Sequence, residues 1–245
     1  MSKILVIIWH TIGLNSVINN SKQMKALYFS CLCLFMSSQV FAQHTMGINF
    51  QSFLPTGELR NDSPDIWGGG ISVTAAFNLK DSPIYAGGIY DFIRYGSEVR
   101  DAWHGQALGD VRYRRQNEMM RLLGFVRISP DCDAGFFPYA DFMAGLNYVF
   151  TRSILRDSSI AEAFDTFTDV DDFSFTYGLG AGMEIPLGGD VLLDINFKTL
   201  KSGRTQYLTP QSTTYDTGTE SYILDIQQSR FDSFSIGIGI KFYIN

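Results

Sequence analysis

Few residues in this 245-residue chain could perform acid–base or nucleophilic chemistry. Activating a serine or cysteine nucleophile needs a base within hydrogen-bond reach, most often a histidine. Beyond residue 42 the chain has two histidines, His44 and His104, and His104 has no Ser or Glu partner at strand spacing. We interpret His104 as a solvated loop residue, and we predict no catalytic residue, no cofactor and no enzymatic activity.

Cysteine and carboxylate side chains offer little more. Cys132 has no histidine nearby in the sequence, so we expect neither a reactive thiol nor a metal ligand there. Acidic residues gather between positions 157 and 172, but the central glycine and closing glutamate of a calcium-binding EF-hand loop are missing. We predict a solvated acidic segment and no metal site, with only weak candidates in Asp165, Asp169, Asp171 and Asp172.

Other charged residues recur singly within stretches that alternate apolar and polar residues. Seven of them fall on the polar side of those stretches: Arg121, Arg127, Asp141, Glu184, Asp194, Lys198 and Lys241. Because unpaired charges away from bulk water are costly and paired ones are tolerated, we predict that they form a paired polar core. The functional alternative is an ion gate.

The stretch at residues 173–185 shows which element must position these charges. Every odd position is apolar or aromatic, and every even position is Ser, Thr, Gly or Glu. A period of two predicts a β-strand with one apolar and one polar face. Residues 234–244 repeat the pattern, and both stretches are long enough to cross a bilayer when tilted.

Eight such stretches predict eight strands. The connections between them measure about 13, 5, 22, 7, 22, 4 and 30 residues, so long and short alternate as they do in transmembrane barrels. In residues 84–95 the pair Gly87-Gly88 lets the alternation be written in either phase, which leaves the facing of that strand open. Arginines of the second long connection and carboxylates of the third are expected to pair across the rim.

The polar face of the strands indicates which solvent the apolar face meets. That face is mostly Gly, Ser, Thr and Asn, whereas a water-exposed barrel exterior would be rich in charged residues. Small residues suit the crowded interior of an eight-stranded barrel. We therefore expect the apolar face to meet lipid, with a secreted, soluble lipocalin-like binding barrel as an alternative.

Two segments resemble a known family. They resemble segments of the small outer-membrane β-barrels of the porin family, which includes OmpA-like and OmpX-like proteins. The first is the glycine-rich strand before Pro186-Leu187-Gly188-Gly189, and the second is residues 235–242. The resemblance implies an all-β, eight-stranded, antiparallel up-and-down transmembrane barrel with short periplasmic turns and four long extracellular loops. It also implies an assembly signal read by the barrel insertion machinery and carried by Ser235, Gly237, Ile240 and Phe242. In this chain three residues follow Phe242, whereas the family often stops at a terminal Phe.

Residues 1–42 are interpreted as an upstream extension plus a cleavable signal peptide, and residues 43–245 as the barrel domain. Lys22 and Lys25 precede a short apolar core at residues 26–36, which is the order found in secretory signals. We predict cleavage after Ala42, and we interpret residues 1–23 either as an upstream extension before a translation start at Met24 or as an unusually long n-region of the signal. Residues 1–42 hold three lysines and no acidic residue, so 16 basic and 25 acidic residues remain, a net charge of −9 that argues against nucleic-acid binding.

These predictions together describe an exported protein of the outer membrane of a Gram-negative bacterium, delivered by Sec-dependent export. We expect a structural, adhesive or secretion-assembly role and no general pore, since open channels need about 16 strands. Expected partners are outer-membrane lipid and lipopolysaccharide, the barrel insertion machinery, and an unidentified extracellular or secretion-system protein. A monomer is expected. The alternative from another class is an outer-membrane lipid-modifying enzyme.

Overall fold

A computed structural model describes residues 44–79, 82–103, 110–130, 132, 135–156, 163–209, 213–216 and 221–244. They belong to one compact unit, Ala42–Asn245. The predicted leader and His104 lie outside the described residues.

Eight long strands close into an antiparallel barrel. In chain order the elements are β1 His44–Pro55, α1 Gly57–Asp62, β2 Gly68–Asn78, β3 Ile84–Trp103, β4 Asp110–Ile128, β5 Phe137–Arg156, β6 Ala163–Gly188, β7 Val191–Ser202, β8 Arg204–Tyr207, β9 Thr213–Asp216, β10 Ser221–Leu224, β11 Gln227–Arg230 and β12 Ser233–Ile244. The barrel order is β1-β12-β7-β6-β5-β4-β3-β2, which confirms the predicted fold class. The four short strands pair as β8 with β11 and β9 with β10 inside the last long connection.

The register of the barrel fixes the tilt of its strands. Following paired residues from His44 through Phe77 and around all eight strands returns to β1 at Leu54, ten residues further on. With eight strands about 4.8 Å apart and a rise of about 3.3 Å per residue, this stagger gives a tilt of about 41°. The value lies within the range of transmembrane barrels.

Side chains along each barrel strand alternate between the exterior and the lumen. Leu122 and Phe175 are 64% and 59% exposed, whereas their neighbours Arg121 and Thr176 are 1% and 0% exposed. This arrangement is the reverse of a soluble lipocalin-like barrel, in which the apolar face points inward. The exterior apolar set, here called the apolar belt, includes Met46, Ile48, Phe50, Ile71, Val73, Leu122, Val126, Phe142, Leu146, Phe175, Leu179, Ile236, Ile238 and Ile240.

The height of the apolar belt matches a bilayer. The outward face of β6 is apolar from Phe173 to Ile185. Twelve residue steps at about 3.3 Å, tilted by about 41°, span roughly 30 Å along the barrel axis. A bilayer's hydrocarbon core is about 30 Å thick.

Two of the predicted long loops continue as strands. The hairpin of β3 and β4 keeps its pairing up to Trp103 and Asp110, and β5 and β6 stay paired up to Arg156 and Ala163. Sequence alternation fails here because polar and charged residues occur on both faces of these upper segments, as expected where water replaces lipid on the outside. The backbone ladder nevertheless continues, so the hairpins project beyond the apolar belt.

The two ends of the barrel differ in their connections. At the short-turn end, β6 and β7 are joined by a tight turn in which Gly188 and Gly189 have φ values of 115° and 58°. Such positive φ values favour glycine. His44 and Ile244 pair with each other at this same end, as expected for an even number of strands. The opposite end, here called the long-loop end, carries α1 and the four short strands.

An apolar cluster closes the lumen at the long-loop end. Strand residues such as Phe53 and Ile93 meet Leu59 of α1, Tyr207 of β8 and Phe231 from the last connection. We call this cluster the mouth plug; its members are Phe53, Leu59, Ile66, Ile93, Tyr95, Met119, Val149, Tyr207 and Phe231. All of them are 9% exposed or less, so residues from the connections fill the mouth of the barrel.

Candidate functional site

The lumen near the short-turn end holds a network of ion pairs centred on Arg127. Its guanidinium donates to Asp141 through Nε at 2.8 Å and Nη2 at 2.9 Å, a bidentate pairing. Its third nitrogen, Nη1, donates to Glu184 Oε1 at 2.7 Å. Arg127 is 4% exposed, and the guanidinium carbon lies 3.6 Å from the centre of the Tyr139 ring. One side chain therefore joins strands β4, β5 and β6.

Lys241 extends the network to β12 and β7. Its ammonium group lies 2.7 Å from Glu184 Oε1 and 2.8 Å from Asp194 Oδ1. The Tyr139 hydroxyl donates to Asp194 at 2.7 Å, and the Asn196 amide donates to the other Asp194 oxygen at 2.8 Å. These residues, with Arg127 and Asp141, form what we call the lumen network. It links five of the eight barrel strands.

Two inward-facing glycines leave room for the lumen network. A Cβ on Gly182 would lie 2.5 Å from the Tyr139 ring and hydroxyl, and a Cβ on Gly47 would lie 2.4 Å from Lys241 Cγ. Contacts this short are not tolerated without movement of a neighbour. The small residues of the polar face therefore have a specific purpose, which is to admit Tyr139 and Lys241 into a narrow lumen.

A second pair lies higher in the lumen and includes a residue that sequence reasoning missed. Lys198 Nζ lies 3.3 Å from Asp91 Oδ1 and 3.2 Å from the Ser72 hydroxyl. Asp91 is fully buried on β3, the strand whose facing the sequence left open. The predicted set held four basic and three acidic residues, and Asp91 supplies the fourth carboxylate. The surplus cation was the available signal that an acidic partner was missing.

Arg121 stands apart from these pairs. It is 1% exposed and donates through Nη2 to the Ser233 hydroxyl at 2.9 Å, while its guanidinium lies 5.5 Å from the Phe53 ring centre. In the ladder it is directly paired with Asp91 and Asn147. Within the described part of the chain, Nε and Nη1 of Arg121 have no hydrogen-bond partner. Arg121 thus marks the boundary between the charged lumen and the mouth plug.

A β-bulge points the carboxylate of Asp169 toward the interior of the upper barrel. The register of β5 and β6 shifts between Thr151 and Arg152, and Asp169 accepts a hydrogen bond from the Ser153 hydroxyl there and lies 3.5 Å from Arg115. Bulges re-aim side chains in this way. Burial raises the pKa of Asp169 above its usual value, although Ser153 and Arg115 oppose the shift. The Arg115–Asp169 pair joins the second and third long segments, as predicted.

Three of the four weak metal candidates have side chains that the structure describes, and these three lie in different surroundings. Asp169 faces the interior, while Asp171 accepts from the Tyr148 hydroxyl at 3.2 Å on the exterior, and Asp172 accepts from the backbone N–H of Gln206 at 2.9 Å. The side chain of Asp165 lies outside the described residues. Within the described ranges, no group of three or more His, Cys, Asp or Glu could hold a metal ion.

The predicted assembly residues all lie on β12, which pairs with β1 and β7. Ser235 is buried in the lumen, whereas Ile240 and Phe242 are each 44% exposed on the belt side. The inward Gly237 faces Asn196, whose side chain a Cβ would approach to 2.6 Å. Their recognition by other proteins stays a prediction.

The exterior changes character above the apolar belt. Arg94 donates to Glu118 Oε1 through Nε at 3.1 Å and Nη2 at 2.5 Å, and Arg152 lies 3.5 Å from the other Glu118 oxygen. Glu118 is 1% exposed beneath the two arginines. On the same side, a cavity of about 700 Å³ lies between the β1–β2 connection, the upper part of β3 and the last long connection. We call it the mouth cavity.

The barrel is antiparallel, eight-stranded and closed, with large apolar residues on its exterior and ion pairs in its lumen. The fold is that of a small outer-membrane β-barrel. The resemblance noted in the sequence is therefore confirmed at the level of the fold. No described helix has both the length and the apolar character needed to cross a membrane.

No family profile and no curated protein matches the sequence. Among solved structures, Neisserial surface protein A is 9% identical over 83% of this chain and 97% of that one, with a TM-score of 0.43. OprG from Pseudomonas aeruginosa is 10% identical over 83% and 96%, with a TM-score of 0.40. Outer membrane protein W of E. coli is 14% identical over 84% and 100%, with a TM-score of 0.33. At these values the likeness is one of overall architecture.

Proposed function

We propose that this chain is an integral outer-membrane protein whose barrel is closed to solutes and whose long-loop end faces the cell exterior in a structural or adhesive role. The observation that carries the proposal is the reversal of the usual distribution of side chains. Large apolar residues such as Phe50 and Leu122 are 68% and 64% exposed, while Arg127 and Lys241 are buried. Only a lipid surrounding makes such an exterior favourable.

The packing of side chains in the lumen supports a closed barrel rather than an open channel. The lumen network crosses the barrel between β4 and β12, and the mouth plug fills the opposite end. A cavity beside Asn49, Arg127 and Lys198 measures about 10 Å³, which is the space of about one water molecule. Sugars and hydrated ions need a much wider path, so we expect no general pore activity.

Membrane fractionation with gel mobility tests the placement in the membrane. The protein should stay in the outer-membrane fraction after a carbonate wash, and it should migrate differently before and after boiling, since a folded barrel resists detergent. Recovery as a monomer from the periplasm without detergent would refute the proposal.

Liposome swelling tests the closed lumen separately. Liposomes that contain the folded protein should swell in arabinose no faster than empty liposomes, while a 16-stranded porin in the same lipid serves as the positive control. Swelling at a porin-like rate would show that the lumen network and mouth plug do not close the barrel.

The enzyme alternative depends on His104, the sole base candidate that we identified in the sequence. His104→Ala tests it directly. If a lipid-modifying activity is found and that variant abolishes it, the enzymatic function replaces the structural one.

A further inference from the structure

The mouth cavity has the size and position of a binding site. Its volume of about 700 Å³ lies in the range of small-molecule pockets, which is about 300–1,000 Å³. It adjoins the mouth plug, because Ile66 and Tyr95 belong to both. The lumen network lies at the other end of the barrel and contributes no residue to it.

The walls of the mouth cavity are held in place by contacts outside it. The Ser63 hydroxyl lies 3.3 Å from the Tyr207 hydroxyl, and Ile66 is buried in the mouth plug. Arg94 is fixed by its two hydrogen bonds to the buried Glu118. A site whose lining is positioned beforehand loses less free energy in ordering when a ligand binds.

The charge of the lining indicates what the mouth cavity would accept. Three carboxylates line it, those of Asp62, Asp65 and Asp225, against one guanidinium, that of Arg94. A phosphate or sulfate group would meet a net negative lining, so an anionic ligand is disfavoured. The polar groups equally disfavour a purely apolar ligand, because filling the cavity would leave them without hydrogen-bond partners.

Among the described residues that line the cavity, Trp67 is the exposed aromatic side chain. Trp67 is 73% exposed at the edge of the cavity, directly before the buried Gly68. An indole offers a large flat apolar face together with one N–H donor. A flat ring beside carboxylates and the Gln227 amide matches a sugar, which has an apolar C–H face and a rim of hydroxyl groups.

We propose that the mouth cavity binds an uncharged saccharide, with the sugar ring against Trp67 and its hydroxyls donating to Asp65 and Asp225. Arg94, which uses Nε and Nη2 on Glu118, donates to the ligand through Nη1. This inference rests on the proposed function, which places the long-loop end outside the cell, where saccharides occur free or as the headgroups of membrane glycolipids.

Saturation-transfer NMR on the full chain, folded in detergent, tests the proposal. The probes are glucose, galactose, N-acetylglucosamine and lactose, with sulfated lactose as the anionic counterpart. We expect at least one neutral probe to bind with a Kd of about 1–10 mM, as is reasonable for a ligand of this size in a partly open site. Trp67→Ala should weaken binding by about tenfold or more, Trp67→Phe by about threefold, and the double change Asp65→Asn/Asp225→Asn by about fivefold.

The matched control is Phe173→Ala, which removes an exposed aromatic ring from the upper edge of the apolar belt, away from the cavity. It should leave the Kd unchanged within about twofold. Three results would each overturn the proposal: no binding of any neutral probe at 50 mM, a preference for the sulfated probe, or a Trp67→Ala variant that binds as wild type. For each variant, a change in gel mobility between unboiled and boiled samples confirms that the barrel is folded.

Two bilayers distinguish the source of the saccharide. If glycolipid headgroups occupy the cavity, the free probe will bind more weakly in nanodiscs that contain lipopolysaccharide than in phosphatidylcholine nanodiscs. If the free probe binds equally in the two kinds of nanodisc, the ligand of the site is a free glycan. Either outcome supports a saccharide site. Because binding is measured on folded protein in detergent, its failure refutes the saccharide site alone, whereas recovery from the soluble fraction refutes the membrane function.

Discussion

Replacing Arg127 with methionine removes the cation that joins β4, β5 and β6 inside the lumen. Asp141 would lose both of its hydrogen bonds to the guanidinium, and Glu184 would keep only Lys241. Three carboxylates would then share one ammonium group in a site that is almost free of solvent. We expect this single substitution to be among the most destabilising in the barrel.

The magnitude follows from the contacts that are lost. Three charge-assisted hydrogen bonds, each worth about 1.5 kcal/mol, give about 4–5 kcal/mol. The estimate agrees with the 3–5 kcal/mol typical of breaking a buried ion pair by removing one partner. The double variant Arg127→Met/Asp141→Leu removes the charge that was left unpaired, so we expect it to recover about 2 kcal/mol of coupling energy.

Urea unfolding in lipid vesicles, followed by gel mobility, measures these differences. Arg204→Met is the matched control, because Arg204 is 62% exposed and lies 3.6 Å from Glu58 in a solvent-exposed pair. Such pairs contribute about 0–1 kcal/mol. A loss below about 1 kcal/mol for Arg127→Met, or a double variant no more stable than the single one, would refute the view that the lumen network holds the barrel together.

Three further predictions use the same unfolding assay. Gly182→Ala forces the Tyr139 ring to move, and we expect a loss of about 1–3 kcal/mol; the control Gly88→Ala, whose Cβ would meet nothing closer than 3.8 Å, should change stability by less than about 0.5 kcal/mol. Asp169 lies above the apolar belt, and burial raises its pKa in the folded protein. Protonated Asp169 therefore stabilises the fold fully at pH values below the usual aspartate pKa, and this stabilisation is lost as the pH rises through the raised pKa. Wild type should therefore lose stability relative to Asp169→Asn as the pH rises above the usual aspartate pKa of about 4, and a difference that does not vary with pH contradicts this. Phe231→Ala removes a fully buried ring of the mouth plug and should cost about 3–5 kcal/mol, while a loss below 1 kcal/mol would show that the plug is loosely packed.

The strands that cross the apolar belt could be predicted from the sequence because lipid imposes a strict period of two. Residues 173–185 follow it without exception, and the structure places the odd positions outside, as expected. Above the belt, lipid no longer lies on the outside of the sheet, so outward residues need not be apolar and the constraint disappears. The upper halves of β3 to β6 therefore carry no alternation that would reveal them as strands.

The contacts that fill the barrel were harder to foresee. Asp91 was missed because Gly87-Gly88 allowed both phases of its strand, although the surplus of cations indicated that an acid was absent. Tyr207 and Phe231 from the last long connection meet Leu59 from the first connection in the mouth plug. No local pattern marks such residues, since their neighbours are determined by how the long connections fold back over the barrel mouth. The same is true of Trp67, which the structure places at the mouth cavity.

The first and last barrel strands are neighbours, with Thr45 paired to Tyr243 and Pro55 to Ser233. The cylinder cannot close until β12 has been delivered, so the earlier synthesis of β1 does not allow the barrel to close sooner. Until that moment β1 and β12 expose unpaired edges, which invite association with other chains. Closure depends on a contact between residues almost two hundred positions apart, and contacts of that kind are slow to form. For this protein, the pairing of β12 with β1 decides whether the membrane receives a closed cylinder or an open sheet.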